Sequence, residues 1–257
     1  MRLRLGHSLV EALCALALSG VLAAVALGTL RVARASAAGA ERLERGLRAE
    51  REAVAVLAAA LRSGGPPTLR GDTAVELDVL LGVSVACAHE PMAIVLPPAR
   101  FADGALTVLS ADPAADDLVG LRLSASADAW WFSAIDSVAL APLGTCGVST
   151  GFQSGPEQRP LRVVLQDSVP ADIASGDELR LLRRARFALY HAGSGDWMLG
   201  YRRCHPYLEL CGVIQPVVGP LRTPAAGGLR LRWQEASSRF ELSARGVGGL
   251  GAKAWVH

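Results

Sequence analysis

Residues Ala12–Leu30 carry no charged side chain, and only Ser19, Gly20, Gly28 and Thr29 fall outside the alanine, leucine, valine and cysteine set. As a helix at about 1.5 Å per residue the run reaches roughly 28 Å, close to the thickness of a bilayer's hydrocarbon core. It cannot be an ordinary surface helix, because each leucine left in water forfeits about 1.5–3 kcal/mol. The rest of the 257-residue chain reads as a soluble domain of ordinary polarity.

Glu11 stands at the mouth of this run, and a carboxylate is among the costliest groups to place in hydrocarbon. Arg2 and Arg4 precede it. A cleavable signal peptide would use small residues such as Ala35-Ser36-Ala37 or Ala38-Gly39-Ala40, but the apolar run is long for that role. A plain signal anchor, basic end inside, leaves Glu11 without a partner. A cut after Gly6 supplies one. The new ammonium at His7 would lie four residues before Glu11, one helical turn away on the same side. Between chains, the same pairing would set axial register in a stack of helices.

Gly6-His7-Ser8-Leu9-Val10-Glu11, after a short basic leader and before a long apolar helix, resembles the processing site of type IV pilins and type II secretion pseudopilins. The resemblance implies cleavage after Gly6 and N-methylation of His7 by a prepilin peptidase, with Glu11 as the family's fifth-position glutamate. That family usually has phenylalanine where this chain has His7. It further implies a bacterial inner-membrane protein, N-terminus cytoplasmic and bulk periplasmic, that assembles with other minor and major pilins or pseudopilins. Its removed leader would be residues 1–6, and loss of Arg2 and Arg4 would leave basic and acidic residues equal in number.

From Arg31 to Arg62 there is no proline, alanine is abundant, and only Gly39 and Gly46 interrupt the helix-formers. Leu43, Leu47, Glu50, Val54, Leu57 and Leu61 recur at intervals of four and three, the stripe of a helix docked along one side. Ser63-Gly64-Gly65-Pro66-Pro67 stops it. The expected helix therefore covers residues 7–62, with 7–30 in the membrane or filament core. Docking within the chain is favoured over a coiled coil, since the heptad covers fewer than three repeats.

Residues 68–257 change to short stretches of β character: Val75–Leu80, Ala93–Leu96, Leu106–Leu109, Arg162–Leu165, Glu178–Leu182, Phe187–Tyr190, Met198–Tyr201, Leu229–Gln234 and Arg239–Ala244. Glycine- and aspartate-rich spacers separate them, as in Gly193-Ser194-Gly195-Asp196. The fold class is α+β: a long N-terminal helix on a mostly antiparallel sheet. The order of Gly176-Asp177-Glu178-Leu179, Phe187-Ala188-Leu189-Tyr190, Leu199-Gly200-Tyr201-Arg202 and Val218-Gly219-Pro220-Leu221 resembles the larger minor pilins of the PilW kind and the GspJ pseudopilins.

Of five cysteines, Cys14 lies in the apolar run and acts as a small hydrophobe, leaving Cys87, Cys146, Cys204 and Cys211. Cys204 and Cys211 suit a small disulfide loop, with Cys87 and Cys146 as the second bridge, though four cysteines allow three pairings. A metal site of Cys204, His205 and Cys211 lacks the tight spacing of a zinc knuckle. Asp112-Pro113-Ala114-Ala115-Asp116-Asp117 lacks the oxygen spacing of an EF-hand and reads as a solvated acidic loop. His89-Glu90 is the nearest thing to an acid–base pair, but no nucleophile, zinc-protease or Walker motif accompanies it. No catalytic residue, metal or cofactor is assigned. Trp130-Trp131-Phe132 is the densest aromatic cluster, either core or an exposed anchor for a neighbouring subunit.

The balance of 26 basic and 24 acidic residues, without a basic block, gives no sign of a nucleic-acid partner. The expectation is a non-enzymatic minor pilin-like subunit for pilus assembly, priming or a filament tip. A GspJ-like pseudopilin is the near alternative, and a membrane-tethered periplasmic enzyme the distant one.

Overall fold

The computed structural model describes residues 9–98, 106–123, 129–146, 159–237 and 239–256. Helix α1 runs unbroken from Leu9 to Ser63, 55 residues or about 80 Å. It ends where the sequence places its stop. The Gly64 N–H bonds the Ala60 carbonyl and the Gly65 N–H bonds that of Asp78, so the chain leaves the helix pressed on the sheet. A β-carbon on Gly64 would sit 2.4 Å from the Asp78 carbonyl oxygen, so only glycine fits this exit.

Among the described residues fourteen strands follow: β1 Thr68–Leu69, β2 Ala74–Val85, β3 Ala88–Glu90, β4 Ala93–Leu96, β5 Val108–Leu109, β6 Leu118–Arg122, β7 Trp130–Leu140, β8 Leu161–Leu165, β9 Glu178–His191, β10 Trp197–Arg203, β11 Gln215–Leu221, β12 Leu229–Gln234, β13 Arg239–Ala244 and β14 Ala252–Val256. Eleven form one antiparallel sheet ordered β1-β2-β9-β6-β7-β8-β4-β3, with β10 between β9 and β11 and with β5 on β2. Strand β9 is the spine. Along one edge it pairs with β2; along the other it pairs with β6 near its start and β10 near its end. Strands β12-β13-β14 make a separate antiparallel sheet. The architecture is α+β.

Among the described residues, the two larger apolar cores lie toward opposite ends of the β9 spine. In the first, Ala53, Leu57 and Leu61 of α1 meet Leu77 of β2, Phe187 of β9, Leu199 of β10, Leu221 of β11 and Leu242 of β13. The rear half of the helix is thus held by the large sheet and the three-stranded sheet together. The second core lies away from the helix, where Ile94, Leu96, Val163 and Leu165 of β4 and β8 meet Val119, Leu121, Leu179 and Leu181 of β6 and β9.

Several expectations need correction. Glu178–Leu182 and Phe187–Tyr190 are one strand, not two. The intervening Arg183, Arg184 and Arg186 look like a break in the sequence but are answered by Asp117, Glu76 and Asp78. Trp130–Leu140 is a strand that the aromatic cluster obscured. Strand β11 was hidden by Pro216 and Pro220, which an edge strand tolerates because no second ladder needs their missing N–H groups. The docked stripe of α1 begins later than the leucine spacing suggests: Leu43 is exposed and Leu47 half-buried, while Gly46, Ala49 and Ala53 line the seam.

Candidate functional site: a helix with two unlike halves

Every described side chain from Leu13 to Arg45 is exposed. The set includes Leu13, Leu16, Leu18, Val21, Leu22, Val25, Leu27 and Leu30. At about 1.5–3 kcal/mol for each large aliphatic group, water is an untenable surrounding for this half. It is the one helix among the described residues long and apolar enough to cross a membrane. Among the described residues, added β-carbons on Gly20, Gly28 and Gly39 would meet nothing, so these glycines serve no contact there.

Docking starts abruptly at Gly46. A β-carbon there would lie 2.3 Å from the Val247 carbonyl oxygen, and one on Gly246 would lie 2.1 Å from the Gly46 carbonyl oxygen. The two glycines let helix and loop backbones touch. One turn on, Glu50 is buried with 3% exposure. Its Oε1 accepts the Gly246 N–H at 2.8 Å, and the Gly251 N–H reaches both carboxylate oxygens at 3.1 Å. On the other side of the same loop, Arg222 donates to the carbonyls of Gly246 at 3.1 Å and Gly249 at 3.0 Å. The loop joining β13 to β14 is therefore gripped from both flanks. Sequence reasoning put Glu50 in the stripe but gave it no role; a lone carboxylate at a core-facing helical position was the available signal.

Gly6 and His7 lie outside the described residues, and Glu11 falls on the first turns of α1, its side chain outside them as well. The disulfides Cys87–Cys146 and Cys204–Cys211 are both formed, and Cys14 is free and exposed on the apolar half. The aromatic cluster splits by strand alternation. Trp131 packs on the second core, while Phe132 is exposed and stacks with Trp130 at 6.5 Å. Gly120 makes room for Phe132, and Arg180 lies 4.4 Å over the Trp130 ring.

The acidic segment is not the solvated loop the sequence suggested at its far end. Asp117 is fully buried, bonded by Arg183 at 2.8 Å and Arg203 at 3.1 Å, and it accepts the Ala114 N–H. Asp116 lies 3.6 Å from His205. Glu90 is engaged by Arg162, whose hydrogen bond holds this exposed carboxyl below its ordinary range. Across β2 and β9, Glu76 meets Arg184 at 3.2 Å and Arg186 at 2.7 Å. Burial pushes the Glu76 carboxyl up, but the two guanidinium groups outweigh it and hold its pKa below normal. These pairs tie together segments distant in sequence.

Compared with protein-family models, curated proteins and solved structures, the chain finds no match. The functional reading therefore stands on the helix and its docking face. Among the described residues, no three His, Cys, Asp or Glu side chains converge as a metal ion would need.

Proposed function

We propose that the chain is a minor pilin-like structural subunit, held in the bacterial inner membrane before it joins a type IV filament. One observation carries the reading: a single continuous helix whose apolar front half is exposed along its described length while its rear half is locked into the sheet domain. A membrane anchor alone needs no rigid extension of this length. A subunit lifted from lipid into a helical bundle does, because the head must follow the helix as one body.

The two disulfides favour an oxidising compartment for the sheet domain. Arg2 and Arg4 ahead of the apolar run favour a cytoplasmic N-terminus. Cleavage after Gly6 by the prepilin peptidase would remove those charges and expose the His7 ammonium, methylated and one turn from Glu11. Leaving lipid for a filament exchanges one apolar surrounding for another, so the area term roughly cancels. Helix packing and the Glu11–amine pair then decide the outcome.

The test is the mass and N-terminal sequence of the protein from a host carrying a prepilin peptidase. A start at methylated His7 is expected. A start near Ala38 or Glu41, or Met1 retained in a working filament, overturns the proposal. Recovery with pilus subunits, rather than with secretion subunits, is the expected result of crosslinking the processed chain.

A further inference from the structure

The outer face of the β12-β13-β14 sheet carries a recess of about 560 Å³. Strand register places Arg230 of β12, Ser243 of β13 and Lys253 of β14 in one row, and Arg232 beside Glu241 in the next. Arg245 and Arg222 close the end of the recess. It is thus lined by five cations and one carboxylate, Glu241, which Lys253 engages at 3.3 Å. Arg222 is held by the neutral carbonyls of Gly246 and Gly249. Among the described residues the guanidinium groups of Arg230, Arg232 and Arg245 have no hydrogen-bond or ion-pair partner. By contrast, Arg183, Arg184 and Arg186 on β9 each meet a carboxylate.

Two glycines admit this crowding. Arg230 Nε and Arg245 Cδ lie 3.6 and 3.9 Å from the point a β-carbon on Gly227 would occupy, and Arg245 Nε lies 3.3 Å from that of Gly251. Both glycines have positive φ, 73° and 102°, where other residues are strained. Like charges gathered in a concavity repel one another and raise the local concentration of anions. Guanidinium forks match the paired oxygens of phosphate and carboxylate. The volume falls in the range of small-ligand sites.

We infer that this recess binds a compact ligand carrying two or more phosphate or carboxylate groups. The charge is gathered in a bounded hollow on a chain of net charge +2, which suits a small multivalent anion better than a long polymer. The site is complete within one chain and does not depend on filament assembly.

The full chain in non-ionic detergent is titrated calorimetrically with tripolyphosphate, with trigalacturonate and with single-stranded oligonucleotides of increasing length. Saturable one-to-one binding of either short ligand is expected, and which one binds identifies phosphate or carboxylate as the natural group. Affinity should fall at least about tenfold in Arg230→Gln/Arg245→Gln, both exposed positions. Arg62→Gln, on the last turn of α1, should leave it unchanged. The inference is overturned if neither short ligand saturates, if the double variant binds as the parent does, or if only oligonucleotides bind with affinity that grows with length.

Discussion

Glu50 on the helix accepts the backbone N–H of Gly246, 196 residues further along the chain, at 2.8 Å in the buried seam. Among the described residues no cation answers this carboxylate; backbone N–H groups do. Glu50→Ala would leave the Gly246 and Gly251 N–H groups without their acceptor, at about 1–3 kcal/mol each. Glu50→Gln retains one oxygen on that side and should lose less. Thermal unfolding should rank parent, Gln, then Ala, and equal stability of Ala and parent would remove the clamp from the account.

Gly46 and Gly39 make a matched pair on the same helix. Alanine at 46 drives its β-carbon against the Val247 carbonyl at 2.3 Å, while alanine at 39 meets nothing. Forcing helix and loop apart should cost about 1–3 kcal/mol. Gly39→Ala should be neutral or stabilising by up to about 1 kcal/mol, as alanine is the better helix former. Denaturant titration of the two variants gives the comparison directly.

These residues show where sequence reading succeeds and where it stops. The apolar run, the stop at Ser63-Gly64-Gly65-Pro66-Pro67 and strands such as Ala93–Leu96 are local patterns, and the structure places elements there. The middle of β9 was illegible because Arg183, Arg184 and Arg186 are made strand-compatible by carboxylates from other strands. Strand β14, Ala252-Lys253-Ala254-Trp255-Val256, has small residues where it meets the helix and so gave little periodic signal. The grip of Glu50 and Arg222 on one loop depends on approach of segments far apart in sequence, which no spacing rule encodes.

The disulfides should differ in what they contribute. Cys87–Cys146 closes a separation of 59 residues and Cys204–Cys211 one of 7. Chain-entropy arguments assign about 4 kcal/mol to the first and about 2 kcal/mol to the second. Serine pairs at each bridge, compared by chemical denaturation, should show the larger loss for the long loop. The reverse order would mean that native contacts around Cys204–Cys211 outweigh loop entropy.

Glu76 sets a direction for pH dependence. Its carboxyl is held below the normal range because Arg186 and Arg184 outweigh the opposing effect of burial. A carboxyl lowered on folding adds stability that is present above its unfolded pKa, about 4.3, and is lost as pH falls through the folded value. Stability should therefore decline on acidification below about pH 4.3. Glu76→Gln should show a shallower decline over that interval, measured as Tm against pH. An unchanged slope in the variant would assign the acid sensitivity elsewhere.

Glu11 tests the filament reading at its chemical centre. The residue lies at the start of α1, ahead of the apolar half that its own domain leaves uncovered. Peptidase recognition on this reading acts at Gly6 and His7, so Glu11→Ala should still be cut and methylated. The unpaired ammonium must then enter an apolar bundle alone, and removing one member of a buried pair costs about 3–5 kcal/mol. Incorporation into sheared filaments, scored against the processed protein remaining in the membrane, should fall by tenfold or more. Glu11→Gln, which can accept a hydrogen bond but carries no charge, should fall between. If the alanine variant is processed and incorporated like the parent, the acid does not pair with the new terminus, and helix packing alone must drive assembly.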